Sequence, residues 1–373
     1  MKTRAALLWE QPGKWQVEEV DLDPPKQHEV LVRLVATGLC HSDDHFATGD
    51  MPLPHMPACS GHEGAGIVEE VGPGVRTLRP GDHIVTTFIP SCGHCRWCTS
   101  GLHSLCDNGA LLFKGAQLDG TYRMHIGDID VAQGGMISTF SNWSVMPEWS
   151  CIKIPEDVPL TSACLVGCGV PTGWGSAVNL AAVQPGDVVI VMGIGGIGIN
   201  AVQGALHCSA SHVIAVDPIE FKRQSALAFG ATQAVASIQE ATEIGRSLTN
   251  GQGADSAIVT IGVVTGEHLS AAFSAIRKAG TVVATGVGKA TEAANVRINL
   301  MELAMFQKRI QGGIYGGTSA ARDIPRLIEM YRQGQLKLDE LVTRTYPLEQ
   351  INDAYDDMHA GRNIRGVIEF GAG

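Results

Sequence analysis

Two textures divide the chain. Up to about residue 160, short apolar runs alternate with polar positions and are cut by turn residues. Val30-Leu31-Val32-Arg33-Leu34-Val35 and Gly66-Ile67-Val68-Glu69-Glu70-Val71 read as strands. Pro24-Pro25, Gly72-Pro73-Gly74 and Arg79-Pro80-Gly81-Asp82 read as the turns between them. Strands at this spacing predict a compact, barrel-like β domain. From about Val170 the apolar runs become continuous. Asp187 to Met192, His212 to Val216, Ala257 to Thr260 and Thr281 to Thr285 read as strands buried on both faces. Ala201 to His207 reads as a helix between the first two. That alternation predicts a parallel sheet flanked by helices. The tail predicts a helix from Asp323 to Gln333 and a last strand from Gly366 to Phe370.

Composition narrows the function classes. A chain of 373 residues suggests two domains or three. The net charge of −11 argues against a nucleic-acid partner, which selects for a basic surface. No run approaches the ~18 apolar residues of a membrane span. The N-terminus breaks into charge before the core of a signal peptide could form. Ten cysteines in such a chain point to a reducing, cytoplasmic compartment and to metal ligation rather than disulfides.

Gly193-Ile194-Gly195-Gly196-Ile197-Gly198 follows a buried strand and opens a helix. In such a turn the first glycine makes the bend, the second lets backbone approach a pyrophosphate, and the third lets the helix pack on the sheet. Asp217 ends the next strand, where an acid accepts hydrogen bonds from the adenosine ribose. A 2′-phosphate would meet that carboxylate as a like charge, so NAD is expected over NADP. Lys222 either flanks the ribose or is an ordinary solvated lysine.

Cys92-x2-Cys95-x2-Cys98-x7-Cys106 is the most specific metal signal. Four thiolates can close a tetrahedron around Zn²⁺ with no open position, which predicts a structural zinc. The spacing does not match the ferredoxin runs that hold iron–sulfur clusters. His94 and His103, in the same loop, are expected as bystanders. Two further runs are rich in ligand types: Cys40-His41-Ser42-Asp43-Asp44-His45 and Gly61-His62-Glu63-Gly64-Ala65-Gly66. Spacing alone does not bring them together, because Cys40 and His62 are 22 residues apart.

Gly61-His62-Glu63-x2-Gly66-x5-Gly72-x2-Val75 resembles the zinc signature of medium-chain, zinc-dependent alcohol dehydrogenases. The four-cysteine run resembles that family's structural-zinc lobe, and Cys164 to Gly173 its second catalytic-zinc segment. Gly193 to Gly198 with Asp217 resembles its NAD site, and Asn363-Ile364-Arg365-Gly366 its C-terminal, phosphate-contacting arginine. The likeness runs through essentially the whole chain in order. Within the family it is greatest to actinobacterial enzymes assayed with N,N-dimethyl-4-nitrosoaniline, which are nicotinoproteins that keep NAD(H) bound through the catalytic cycle.

The resemblance implies an α/β protein: a β-rich GroES-like catalytic domain (1–169 and 313–373) with the structural-zinc lobe, and a Rossmann doubly wound parallel-sheet domain (170–312). It implies two zincs per chain and NAD(H). Cys40, His62 and Cys168 would ligate the catalytic zinc, leaving a fourth position open, and Glu63 would be the acid beside it. Ser42 would reach the substrate oxygen, and His45 would be the outer proton relay; a surface histidine is the other reading of His45. His41 stands where relatives place a basic residue near the pyrophosphate, with Gly193, Gly195, Gly196, Gly198, Asp217, Lys222 and Arg365 completing the cofactor set.

The implied reaction is hydride transfer between a primary alcohol and its aldehyde, with an electron acceptor as a further partner if the cofactor is retained. A homo-oligomer, dimer or tetramer, is expected. The alternatives are an ordinary NAD-releasing dehydrogenase and a thiol-dependent formaldehyde dehydrogenase. The latter needs a basic anchor, for which Arg123 and Lys114 are candidates. Phe88, Met51, Val287 and Ile314 fall near pocket positions. Gly134-Gly135 stands where several relatives are bulky, which would make the pocket roomier. Cys59, Cys151, Cys164 and Cys208 are expected as packed core thiols.

Overall fold

A computed structural model describes residues 1–290 and 295–371. The chain forms two compact units. One is Met1–Cys168 together with the chain from Ser319 onward; the other is Gly169–Thr318.

The first unit is built on β-sheet. Strands Lys2–Leu8, Gln16–Leu22, Met124–Ile126, Ile129–Gln133 and Ala58–Cys59 close into a barrel. A seven-stranded sheet stands beside it in the same unit. Its order is Cys151–Lys153, His83–Thr86, Glu63–Val71, Glu29–Gly38, Arg365–Glu369 and Val342–Tyr346, with Trp143–Pro147 also paired to Glu29–Gly38. The inward positions supply the core: Leu7, Leu8, Val20, Val32 and Phe140 are almost wholly buried, and Trp15 meets Phe140 edge-on at 5.5 Å.

The segment between Ala110 and Ser138 carries no strong periodicity, and its path follows from contacts distant in sequence. It supplies the two barrel strands Met124–Ile126 and Ile129–Gln133. Gln117 ties it inward, donating to Gln133 Oε1 at 3.1 Å and to the Met136 carbonyl at 3.0 Å. Arg123, a candidate anchor for a thiol substrate, is fully buried here. Its guanidinium donates to both Glu29 carboxylate oxygens, at 2.8 and 2.6 Å, and to Asp119 at 2.8 Å. It is therefore a structural cation and offers nothing to a ligand.

The second unit is a six-stranded, all-parallel sheet. Its order is Gln233–Val235, His212–Val216, Val188–Met192, Ala254–Val259, Ile276–Ala284 and Arg309–Gly312. The first strand in sequence thus lies in the middle and the chain winds outward to either side, the doubly wound order of dinucleotide-binding folds. Val188–Met192 is buried at every position, as its unbroken apolar run predicts. The helix expected from Ala201 begins at Gly196, because the glycine turn itself winds the first helical turn. The tail helix, which belongs to the first unit, runs Ala320–Arg332, three residues earlier than its pattern suggests. Asp323 accepts from the Ser319 N–H at 2.8 Å and holds that extra turn. Among the described residues no helix is long and apolar enough to cross a membrane.

The buried Arg123 yields a test. Removing one partner of a buried ion pair strands the other, at a cost of about 3–5 kcal/mol. Arg123→Ala is expected to destabilise the protein by that order in urea unfolding, because Glu29 is only 5% exposed. A loss under about 1 kcal/mol would show that Glu29 finds another partner.

Candidate active site and metal centres

Strand pairing brings the first ligand set together. Glu29–Gly38 and Glu63–Val71 are antiparallel, and Gly38 pairs with Glu63. Cys40 lies two residues beyond one end of that pair and His62 one residue before the other, so the register closes the 22-residue gap. Cys40 caps the helix His41–Thr48. Cys168 arrives from a third direction, immediately after the turn Cys164–Gly167. A side chain at Gly167 would press on the Thr86 carbonyl at 2.8 Å, so the close approach requires glycine. Ligand atoms of Cys40, His62, Glu63 and Cys168 all lie within 4.8 Å of one another.

The residues around this cluster hold it in a metal-ready state. Asp43 is fully buried and accepts from Ser60 Oγ at 2.6 Å and the Gly61 N–H at 2.9 Å. It also stands 3.0 Å from His62 Nδ1, which leaves Nε2 for the thiols. A hydrogen bond with Cys168 holds the Cys40 thiol well below its ordinary pKa, and His62 assists. The same bond, with burial, pushes Cys168 up. Burial opposes a charged His62, but Asp43 and Cys40 outweigh it and keep its pKa raised. Two sulfurs and an imidazole in a dry pocket are the donor set that catalytic zinc takes.

Glu63 and Arg365 form a buried ion pair beside the cluster, 0% and 5% exposed at their side chains. Burial lifts Glu63 to about 7, against the pull of Arg365. The resemblance puts Arg365 on the cofactor phosphates. The structure turns it inward: Nη2 donates to Glu63, and Nε has no partner. Ser42 is half-buried, its Oγ 3.6 Å from Cys40 Sγ. His45 is 2% exposed, which removes the surface reading. His41 is half-buried, and that burial lowers its pKa, so the imidazole is neutral near pH 7.

The second set, Cys92, Cys95, Cys98 and Cys106, also converges. Sulfurs held tetrahedrally at ~2.3 Å from zinc stand about 3.8 Å apart. Cys95 and Cys106 sulfurs are 3.9 Å apart. The Cys92 and Cys95 N–H groups each donate to a sulfur of the set at 3.3 Å. Backbone N–H bonds pull Cys95 down to about 6. His94 is exposed and His103 half-buried; neither joins the set.

In the second unit the glycine turn fits a pyrophosphate. Gly193 has φ +89°. A side chain at Gly198 would collide with the Gly193 carbonyl, whereas Gly195 has open space beside it, where backbone can meet a phosphate. Gly196 is the first residue of the helix, whose N-terminal amides face that space. Asp217 accepts from the Ile194 N–H at 2.8 Å and the Ile219 N–H at 2.9 Å, so it also braces the turn. Lys222 is half-buried on the helix Glu220–Ala228.

Several pocket expectations change. Phe88 meets His62 edge-on at 5.4 Å. The roomier pocket at Gly134-Gly135 is not there: a side chain at Gly134 would press on Ser60 at 2.9 Å, and Gly135 sits at φ +60° against Phe88. Met51 is half-buried, and Val287 and Ile314, in the second unit, are 44% and 46% exposed. Cys59, Cys151 and Cys164 are buried thiols, but Cys208 is only half-buried, at the end of the helix Gly196–His207. Asp43, which carries no distinguishing spacing of its own, is the contributor that sequence reasoning passes over.

Two tests follow. Cys40→Ser is expected to lose one zinc per chain with the fold retained, whereas Cys95→Ser should lower the unfolding temperature, because a structural zinc contributes folding free energy. An undiminished unfolding temperature for Cys95→Ser would overturn the structural role. Asp217→Asn should relax the preference for NAD over NADP while the turn survives, since the amide oxygen can still accept from Ile194. Ratios of kcat/KM for the two cofactors check this.

Comparison with known proteins agrees with this geometry. Residues 26–156 match the alcohol dehydrogenase GroES-like domain, and residues 196–333 match the zinc-binding dehydrogenase domain. The chain is 47% identical over 372 residues to the NDMA-dependent alcohol dehydrogenase of Amycolatopsis methanolica, covering 100% of both. It is 46% identical to alcohol dehydrogenase B of Mycobacterium tuberculosis, covering 99% of each. Benzyl alcohol dehydrogenase from Acinetobacter calcoaceticus superposes with a TM-score of 0.91 at 30% identity, covering 100% of both chains. With both zinc-type clusters and the dinucleotide turn in place, the chain belongs to the zinc-dependent medium-chain alcohol dehydrogenase family.

Proposed function

We propose that this NAD(H)-using zinc alcohol dehydrogenase acts on a primary alcohol and its aldehyde, and keeps its cofactor bound between turnovers. The observation that carries the chemistry is the buried convergence of Cys40, His62, Glu63 and Cys168. Cofactor retention is supported by 47% identity across the whole length of the NDMA-dependent enzyme of Amycolatopsis methanolica.

A zinc ion held by Cys40, His62 and Cys168 would supply the Lewis acid that favours an alkoxide, and NAD the hydride acceptor. The chain's own residues do the rest. Asp43 fixes the His62 ring and its tautomer. Phe88 packs against that ring and helps exclude water. Ser42 Oγ, near Cys40, receives the proton of the alcohol and passes it outward, and His45 is the next base. Glu63, balanced by Arg365, tunes the charge behind the cluster and is close enough to ligate in passing.

The NAD-releasing alternative is favoured by one observation. A neutral His41 grips a phosphate less firmly than a permanent cation would. The thiol-dependent reading loses Arg123 as its anchor and keeps only the exposed Lys114. Assembly into a dimer or tetramer is supported by Arg309–Gly312, the last strand of its sheet, exposed at all four residues. Leu300, Met301 and Met305 nearby in sequence are 69–73% exposed. Ten free cysteines support a reducing, cytoplasmic setting.

The deciding experiment is to purify the protein without added nucleotide, denature it, and measure zinc and NAD(H) released per chain. Two zincs and one NAD(H) are expected. Turnover of a primary alcohol should need an electron acceptor such as the nitrosoaniline and respond little to added NAD. Protein free of NAD(H) that turns over on added NAD would establish the releasing enzyme instead.

A further inference from the structure

Oxidation of an alcohol releases a proton as well as a hydride, and that proton must reach water. The relay ends at a histidine with almost no surface of its own open to water. His45 is 2% exposed, in the helix His41–Thr48, with Phe46 beside it also buried. Its Nδ1 stands 3.3 Å from Asp50 Oδ2, and the Asp50 side chain is 20% exposed. Asp50 is placed by the turn that ends the helix. Gly49 there takes φ +80°, and the Met51 N–H donates to the His45 carbonyl at 3.0 Å. A short loop thus carries a carboxylate back to the histidine five residues earlier and leaves its outer side toward solvent.

We propose that Asp50 is the outlet of the proton relay, a role that rests on the alcohol dehydrogenase reading above. An N–H bond forms at His45 Nε2 as the substrate's proton arrives. The Nδ1–H bond breaks, and that proton passes to the Asp50 carboxylate and then to water. The ring, left with its proton on Nε2, is reset by exchange with water before the next turnover. One proton enters from substrate and one leaves, and no electrons move between residues. Aldehyde reduction runs the same path inward.

Ionisable groups near His45 among the described residues include His41, with ring centroids 6.1 Å apart, and Asp44 on the same helix. His41 in turn lies 6.3 Å from His359, which contacts Asp44 at 2.8 Å. That row of imidazoles is the competing exit. Its centroid spacings exceed hydrogen-bond contact, whereas His45 and Asp50 are at the long end of it.

The test is Asp50→Asn, which keeps the shape and removes the proton acceptor, in the zinc-loaded holoenzyme. The readout is the transient formation of reduced nicotinamide on mixing with a primary alcohol. We expect about a tenfold slowing, below the ~10²–10⁴ of a direct acid or base, because water partly replaces an outer relay. The slowing should be largest at low pH and come with an increased solvent deuterium isotope effect. Small carboxylate or imidazole buffers should reverse it, and Asp50→Glu should retain most of the rate. Zinc content and unfolding temperature serve as controls for the fold. An unchanged rate, pH profile and isotope effect in Asp50→Asn would overturn the proposal. So would the same loss in His359→Asn, which would place the exit along the imidazoles. A wild-type protein that oxidises no alcohol would instead refute the activity itself.

Discussion

The pairing of Gly38 with Glu63 is the constraint on which the metal centre depends. Two antiparallel strands set this register, and side chains alternate between the faces of a strand. A slip of one residue would turn each side chain to the opposite face. Cys40 and His62 would then no longer share a corner. The strands run nine and ten residues and are mostly buried, so the hydrophobic core enforces the register far from the ligands themselves. Glycines sharpen it where elements come closest. At Gly38 a side chain would strike the Glu63 carboxylate, and at Gly167 it would strike the Thr86 carbonyl.

Charge balance is the second layer. Asp43, His62, Cys40, Glu63 and Arg365 are all buried within one unit, which would be prohibitive for isolated ions. Each has an opposite neighbour. Asp43 sits against His62, His62 against Cys40, and Glu63 against Arg365. The arrangement costs little only as a set. Removal of one member would leave its partner uncompensated in a dry pocket. A divalent cation joining the two sulfurs would be matched by charge already gathered there.

The dinucleotide turn in the second unit is organised differently, by space rather than by charge. Gly198 is required by the helix packing against the Gly193 carbonyl, and Gly195 by access to backbone. Asp217 links the two demands. The carboxylate that would select the ribose also bonds the turn through Ile194. Specificity and local stability therefore share one residue, and only a change that keeps an acceptor oxygen there alters the first without the second.

Much was legible in the residues alone. Continuous apolar runs marked the parallel strands, because burial on both faces leaves no polar position. The four-cysteine run and the glycine turn were legible because their ligands and contacts lie within a few residues of one another. The resemblance to a known family then named Cys40, His62 and Cys168 together. What the chain could not state was any contact set by distant pairing. Arg123 reads as a free cation until Glu29, from a strand 94 residues away, closes on it. Gly134 reads as spare volume until Ser60 fills it. Arg365 carries no sign in its own segment of the buried ion pair it makes with Glu63, 302 residues away. Residue type and short-range spacing decide which chemistry is available. Packing between remote segments decides which side chains remain free to perform it.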